Sequence, residues 1–98
     1  MRRRWAVGLI LISILTMACG GAASVDEYKA AFVYVGPADD GGWSQAHDVG
    51  RQYLVEQTGI KTEYTALVPE DATESITLVE AYMEQGHNIF FGTSFGYI

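Results

Sequence analysis

The segment that most restricts the fold of this chain is a nearly continuous apolar run at residues 29–36 (KAAFVYVG), which ends before Pro37. A strand with one solvent-exposed face alternates polar and apolar residues, whereas a strand buried on both faces is apolar almost throughout. Strands of the second kind occur in parallel sheets, because crossover helices cover both faces of such sheets. The run therefore predicts a central strand of an α/β protein.

A helix is predicted to follow, because the sequence has helical spacing from Trp43 up to Gly59. Glycine is the usual residue just after the end of a helix, so Gly59 suits a C-terminal cap. One face of this helix is expected to pack on the sheet. The residues predicted for that face are Ala46, Val49, Gly50, Tyr53, Leu54 and Gln57.

The remaining residues predict a strand, a helix and a strand. Residues 61–68 (KTEYTALV) alternate polar and apolar side chains, residues 72–85 keep helical spacing, and residues 88–93 (NIFFGT) form a short apolar run. The inner face predicted for the second helix carries Ile76, Val79, Tyr82 and Met83. Strands that alternate with helices indicate a parallel sheet with right-handed crossovers, the start of a doubly wound fold with a flavodoxin-like strand order of 2-1-3.

The first residues of the chain predict a targeting signal. Arg2, Arg3 and Arg4 precede an uncharged run at residues 5–18, which is shorter than the roughly 20 residues of a membrane-spanning helix. The following Cys19 lies in LTMAC, which resembles a bacterial lipobox, with Thr16 where leucine is usual. We predict a lipoprotein signal peptide at residues 1–18, lipidation of Cys19 and a flexible leash at residues 19–28. The alternative is ordinary secretion with Cys19 unmodified.

The charge and cysteine counts exclude three classes of protein. Apart from the three arginines at the N-terminus, twelve acidic residues stand against three basic ones, so no nucleic acid partner is expected. A single cysteine excludes a disulfide framework and a thiolate zinc site. No bound metal and no cofactor are predicted.

Ligands of open α/β sheets bind beyond the carboxyl ends of the strands, which here are residues 37–43 and 94–98. Asp40 is either a cap of the first helix or a carboxylate that accepts hydrogen bonds from a ligand. Trp43 is either a core anchor or a flat surface on which a planar ligand stacks. His47 and Asp48 are interpreted as a solvated face of the helix, and His87 as a turn residue.

Residues 92–96 (GTSFG) match the nucleophile-elbow pattern G-x-S-x-G of α/β-hydrolases and follow a predicted strand. The acid and the histidine of that triad come after the serine, and the sequence continues for only two residues beyond the motif. We therefore predict no catalytic residue and no enzymatic activity, with an α/β-hydrolase using Ser94 as the weaker alternative.

Three longer segments carry a family resemblance, namely residues 36–51 (GPADDGGWSQAHDVGR), 66–72 (ALVPEDA) and 92–98 (GTSFGYI). Together with the lipobox they resemble the basic membrane protein family, solute-binding lipoproteins of ABC importers that are similar to the purine nucleoside receptor A group. The resemblance implies a type I periplasmic-binding fold with two α/β lobes, which close on a purine nucleoside or purine base. It also implies an ABC permease and an ATPase as partners, and a lipid-anchored protein on the extracytoplasmic face of the cell membrane.

Matched to that family, Asp40 and Trp43 of the first loop and Ser94, Phe95 and Tyr97 of the last one are expected to line the ligand cleft. Residues 29–98 correspond to the N-terminal part of the first lobe, so we expect a truncated chain that lacks half of the pocket. Two alternatives stay open, a surface lipoprotein in signalling or adhesion and the product of a decayed gene.

Overall fold

The computed structural model describes residues 24–98, which form three strands and two helices in the predicted order. The strands are β1 (Lys29–Val33), β2 (Lys61–Thr65) and β3 (Ile89–Gly92). The helices are α1 (Trp43–Thr58) and α2 (Ala72–Glu84). Two single 3₁₀ turns, Val25–Glu27 and Phe95–Tyr97, lie at the two ends. The predicted signal peptide and Cys19 lie outside the described residues, and the division into signal, leash and lobe stays a prediction.

The three strands form one parallel sheet in the order β2-β1-β3. The central strand pairs with both neighbours, so that Phe32 lies opposite Tyr64 on one side and opposite Phe91 on the other. The predicted α/β class and the strand order 2-1-3 are therefore confirmed.

All three strands are shorter than the sequence pattern predicts. The second strand ends at Thr65 rather than residue 68, because Leu67 adopts a left-handed conformation with φ of 58°. The backbone of residues 65–68 is still hydrogen-bonded to Tyr34, the residue after β1. Tyr34 N–H donates to the Thr65 carbonyl, and Val68 N–H donates to the Tyr34 carbonyl. These bonds hold the segment after β2 close to the carboxyl end of the sheet.

The helices cover opposite faces of the sheet. The Arg51 guanidinium of α1 donates a 3.0 Å hydrogen bond to the Thr62 hydroxyl, and the Tyr82 hydroxyl of α2 lies 2.7 Å from the Thr65 hydroxyl. Residues 62 and 65 point to opposite sides because side chains alternate along a strand. The central strand is thus covered on both faces, and residues 30–34, which comprise most of β1 and the tyrosine after it, are all buried.

The face predicted for α1 is wrong except at Leu54, which packs against the core. Val49 and Tyr53 are 58% and 63% exposed, whereas Ser44 and Asp48 are buried. The buried face is polar because its groups find hydrogen-bond partners on α1 and in the segment after β1. The Asp48 carboxylate accepts hydrogen bonds from the Tyr34 hydroxyl at 3.1 Å, the Arg51 Nε at 2.7 Å and the Gln52 amide at 2.7 Å. Asp48 is therefore a buried network residue and not part of a solvated face.

The interpretation of α2 and of the turn after it also needs correction. Tyr82 packs inward as predicted, but Ile76 and Met83 are exposed and the small Ser75 is buried. His87, interpreted as a turn residue, follows the turn at residues 85–86 and is buried. Its Nδ1 lies 3.0 Å from the Tyr82 carbonyl oxygen, and its ring meets the Tyr82 ring edge-on, so it closes the base of the helix against the sheet.

The start of β1 is fastened by Asn88, the residue that precedes β3. The Asn88 side-chain amide donates to the Glu27 carbonyl at 2.8 Å, and its oxygen accepts from the Lys29 N–H at 3.0 Å. Asn88 N–H also donates to the Lys29 carbonyl. The amino ends of β1 and β3 are thereby bound together.

Candidate functional site

A cleft opens at the carboxyl end of the sheet, where the loop after β1 meets the loop after β3. It encloses a cavity of about 250 Å³. Its walls come from the first turns of α1 and from the end of β3. The lining residues are Trp43, His47, Gly92, Thr93, Ser94, Phe95 and Ile98. This is the edge at which doubly wound folds bind their ligands.

Trp43 forms one wall of the cleft and is held by its indole nitrogen. The Nε1–H donates a 2.7 Å hydrogen bond to the Thr93 carbonyl oxygen. The Thr93 hydroxyl donates in turn to the Val33 carbonyl at 2.7 Å, which ties the end of β3 to the central strand. The indole is 61% exposed despite this anchoring, so much of its surface is available for stacking.

Asp40 caps the first helix. Its carboxylate accepts hydrogen bonds from the N–H groups of Gly42, Ser44 and Gln45 at 2.8, 3.1 and 3.0 Å. These backbone donors, led by that of Gln45, lower the pKa of Asp40. The helix needs this cap because its N-cap residue, Gly42, has no side chain to accept such a bond. The structure places Asp40 beside the cleft and not among the residues that line the cavity.

Ser94 lines the cavity, and its hydroxyl is engaged on both sides. The Ser94 Oγ donates to the Glu70 carboxylate, which belongs to the loop before α2, and accepts from the Gly96 N–H at 3.1 Å. The backbone of Ser94 is extended, with φ of −144° and ψ of 149°. A nucleophile elbow places its serine on a strained strand-to-helix turn with a free hydroxyl, so this geometry does not match the hydrolase motif.

Glu70 also packs against the backbone of the last loop. A Cβ added to Gly96 would overlap with the side chain of Glu70, so this position has room only for glycine. Phe95, between Ser94 and Gly96, is 92% exposed and projects from the loop that Glu70 holds. The segment 66–72 thereby supports the cleft loop without lining the cavity.

Tyr97 points to the other side of the loop. Its hydroxyl donates to the Val68 carbonyl at 2.9 Å, and its carbonyl accepts from the Ser75 hydroxyl at 3.3 Å. Burial raises the pKa of Tyr97, and the charge of Glu70 adds to this effect. Of the five predicted site residues, Trp43, Ser94 and Phe95 therefore share one cavity, while Asp40 and Tyr97 occupy supporting positions.

His47 is the cleft residue that sequence reasoning missed. It lies one helical turn after Trp43, and the centroids of the two rings are 4.8 Å apart. The signal was available, since residues i and i+4 share a face of a helix. A histidine one turn after a tryptophan predicted to face the cleft should face it too.

The cleft offers aromatic surfaces and few polar side chains. Among residues 24–98, no three His, Cys, Asp or Glu side chains cluster closely enough to hold a metal ion. Aromatic rings with a few polar groups suit a neutral ligand with a flat face, because stacking supplies affinity and hydrogen bonds supply orientation.

The family model described as ABC transporter substrate-binding protein PnrA-like, or Bmp, matches residues 27–98, which include every strand and both helices. The chain belongs to the Bmp family. The resemblance inferred from the cleft segments is thereby confirmed, and with it the assignment of the α/β fold to a solute-binding lobe. Bmp is a family of substrate-binding receptors of ABC transporters, which act outside the cytoplasm.

Two relatives place this Bmp chain beside proteins with different named ligands. It is 39% identical over 95 residues to a purine-binding protein of Brucella abortus, covering 92% of this chain and 26% of that protein. It is also 39% identical over 79 residues to a putative ABC transporter glucose-binding protein of Haloferax volcanii, covering 80% of this chain and 20% of that protein. The chain thus spans about a quarter of the first relative's length and a fifth of the second's.

Within the described part of this Bmp chain, residues 24–98, neither helix is both long enough and apolar enough to cross a membrane.

Proposed function

We propose that the chain forms the first ligand-binding wall of an ABC importer receptor that captures a purine base or purine nucleoside. The observation that carries this proposal is the exposed Trp43 indole, held edge-on by the Thr93 carbonyl in a cleft at the carboxyl end of the sheet. A purine is a flat heterocycle, and stacking on a fixed indole needs little further ordering of the protein.

The cavity is small and open, which supports a binding site that a second wall completes. Pockets for small molecules have volumes of about 300–1,000 Å³ and bury most of the ligand. The cavity of about 250 Å³ is open, and Phe95 is almost fully exposed at its rim. We infer that a second lobe closes over Trp43 and Phe95, so that the purine lies between aromatic rings of one lobe and groups of the other.

Binding without chemistry is the role that these side chains support. The Ser94 hydroxyl is already engaged with Glu70 and Gly96, and the Asp40 carboxylate is committed to the helix N-terminus. Neither group is arranged as an activated nucleophile or a free general base. The proposal therefore includes no catalytic residue.

Glucose is the second candidate ligand, because the Haloferax volcanii relative is named a putative glucose-binding protein and matches at the same identity. An indole face also accommodates the apolar face of a sugar ring. The two candidates differ in what stacks on Trp43, a conjugated heterocycle or a saturated ring.

Calorimetry on the protein encoded by the complete gene tests the proposal with purine bases, purine nucleosides and glucose. We expect a purine to bind, and Trp43→Leu to weaken its binding about tenfold to a hundredfold, since aromatic stacking on a base contributes about 1–3 kcal/mol. Tyr53→Leu is the matched control, because Tyr53 is as exposed on the same helix but lies outside the cavity. Binding of glucose and of no purine would replace the first ligand by the second.

Membrane attachment through Cys19 and delivery to a permease and its ATPase complete the proposed role. Cys19→Ser should release the protein from the membrane fraction. Genes for a permease and an ATPase beside this one would support transport. Their absence would favour a surface lipoprotein in signalling or adhesion.

A further inference from the structure

The hydrogen bond of His47 determines which of its ring nitrogens is protonated. Its Nδ1 lies 2.8 Å from the Trp43 carbonyl oxygen. A carbonyl oxygen can only accept a hydrogen bond, so Nδ1 must carry the hydrogen and donate it. In the neutral ring, the other nitrogen, Nε2, then carries a lone pair and is an acceptor.

The other polar side-chain groups of the cavity are already engaged. The Trp43 Nε1–H donates to the Thr93 carbonyl, the Thr93 hydroxyl donates to the Val33 carbonyl, and the Ser94 hydroxyl donates to Glu70. Among the described residues, none hydrogen-bonds to the Nε2 of His47, whose ring lines the same cavity. His47 Nε2 is therefore a nitrogen acceptor on a cavity-lining side chain that no described residue occupies.

We propose that His47 is a specificity-determining residue, whose Nε2 accepts a hydrogen bond from an N–H or O–H group on the edge of the ligand stacked on Trp43. This inference rests on the proposed function and deepens it. The centroid of the His47 ring lies 4.8 Å from that of the indole, and the two planes are inclined by 54°. In this arrangement the ligand stacks on the part of the indole that His47 leaves open and turns one edge toward the imidazole. The site selects ligands with a donor at that edge and rejects those with an acceptor there, because two acceptors would face each other.

Two substitutions separate this role from a structural one. Asparagine can imitate the Nδ1 side of histidine and still donate to the Trp43 carbonyl, but it does not reach the position of Nε2. Glutamine places an oxygen near the position of Nε2 and gives up the bond to Trp43. We expect His47→Asn to weaken purine binding by about tenfold or more and His47→Gln to stay within a fewfold of wild type. The opposite order would show that His47 only supports the Trp43 backbone, and would overturn the proposal.

Methylated ligands give a second, independent measurement. We would titrate the wild type and His47→Asn with adenine and with its N6,N6-dimethyl, N7-methyl and N9-methyl derivatives. Methylation of the nitrogen that donates to Nε2 should weaken binding to the wild type and have little further effect in His47→Asn. Equal losses in both proteins for every derivative would contradict a hydrogen bond to His47. If glucose is the ligand, deoxy sugars take the place of the methyl derivatives.

Nitrogen-15 NMR of the imidazole tests the tautomer with no ligand present. Protonated and unprotonated ring nitrogens have widely separated chemical shifts, so the spectrum of the neutral ring shows which one carries the hydrogen. We expect hydrogen on Nδ1, and a shift of the Nε2 resonance when the ligand binds. A hydrogen on Nε2 would overturn the inference even if the protein binds purines. Failure of every purine and of glucose to bind would instead refute the proposed function.

Discussion

The indole nitrogen of Trp43 donates a 2.7 Å hydrogen bond to the carbonyl oxygen of Thr93, a residue 50 positions further along the chain. This bond connects the first residue of α1 to the end of β3 across the carboxyl edge of the sheet. It fixes the indole by its polar edge and leaves much of its remaining surface, which His47 contacts in part, exposed to the cleft. The contribution of Trp43 to folding stability can therefore be measured separately from its contribution to ligand binding.

Trp43→Phe should separate them. Phenylalanine keeps a flat ring but has no N–H donor, so the Thr93 carbonyl loses its partner and the free energy of unfolding should fall by about 1 kcal/mol. Urea denaturation measures this loss, and Tyr53→Phe on the exposed side of α1 is the control. Ligand affinity should fall less than in Trp43→Leu, because a stacking surface remains. An unchanged unfolding free energy would mean that the bond to Thr93 contributes nothing.

The buried network of Asp48 should be the most sensitive polar group of the lobe. Replacing Asp48 by alanine leaves Arg51 and the Tyr34 hydroxyl without their shared acceptor, and should cost about 3 kcal/mol. Asp39→Ala in the exposed loop before α1 is the matched control. A double-mutant cycle with Arg51→Ala measures the coupling directly, and a coupling near zero would show that the two charges act independently.

Acid should destabilise the lobe through two carboxylates. Backbone donors, with that of Gln45 the strongest, lower the pKa of Asp40. Burial acts to raise the pKa of Asp48, but the hydrogen bonds from Arg51, Gln52 and Tyr34 outweigh it and lower the pKa overall. Because both pKa values are lower in the folded state, the stabilisation is complete above the ordinary carboxyl range. It is lost as the pH falls through the folded-state values below 3.8.

Urea denaturation across the acid range checks this dependence. Asp40→Asn and Asp48→Asn should each flatten the loss of stability toward low pH, and Asp39→Asn should leave it as in the wild type. Equal slopes in all four proteins would show that other groups cause the acid sensitivity.

Gly96→Ala should disturb the cleft loop by displacing it from Glu70. The added methyl group would overlap with the Cβ of Glu70, so the loop with Ser94 and Phe95 must shift. We expect weaker ligand binding together with a lower unfolding free energy. Gly50→Ala is the control, because a Cβ at this helical position meets open space. It should leave affinity unchanged and raise stability by about 0.5–1 kcal/mol. Wild-type affinity in Gly96→Ala would show that the position of this loop is immaterial to the ligand.

The sequence was sufficient for the type and order of the elements because β1 is apolar after Lys29 and glycine follows α1. The sequence did not predict which residues of α1 face the sheet. Periodicity treats Ser44, Asp48 and Arg51 as exposed, yet these side chains are satisfied by groups that are distant in the sequence, such as the Tyr34 and Thr62 hydroxyls. Partners of this kind become visible only when the strands are paired.

The candidate site, like the fold, could be predicted from the sequence only in part. Trp43, Ser94 and Phe95 could be predicted to share a cleft, since parallel strands end at one edge of the sheet. The supporting positions of Asp40 and Tyr97 depend on which hydrogen-bond partner each one takes, the helix N-terminus for Asp40 and the Val68 carbonyl for Tyr97. Spacing along the chain does not determine that choice.

The bonds that Asn88 makes to Glu27 and Lys29 lie at the amino ends of the strands, whereas the cleft lies at their carboxyl ends. The polypeptide therefore enters the sheet at the end farthest from the cleft. An anchor attached upstream of residue 24 would therefore join the lobe at the end opposite the mouth of the cleft. Any pull on that anchor would act first on the Asn88 bonds, one strand length away from Trp43.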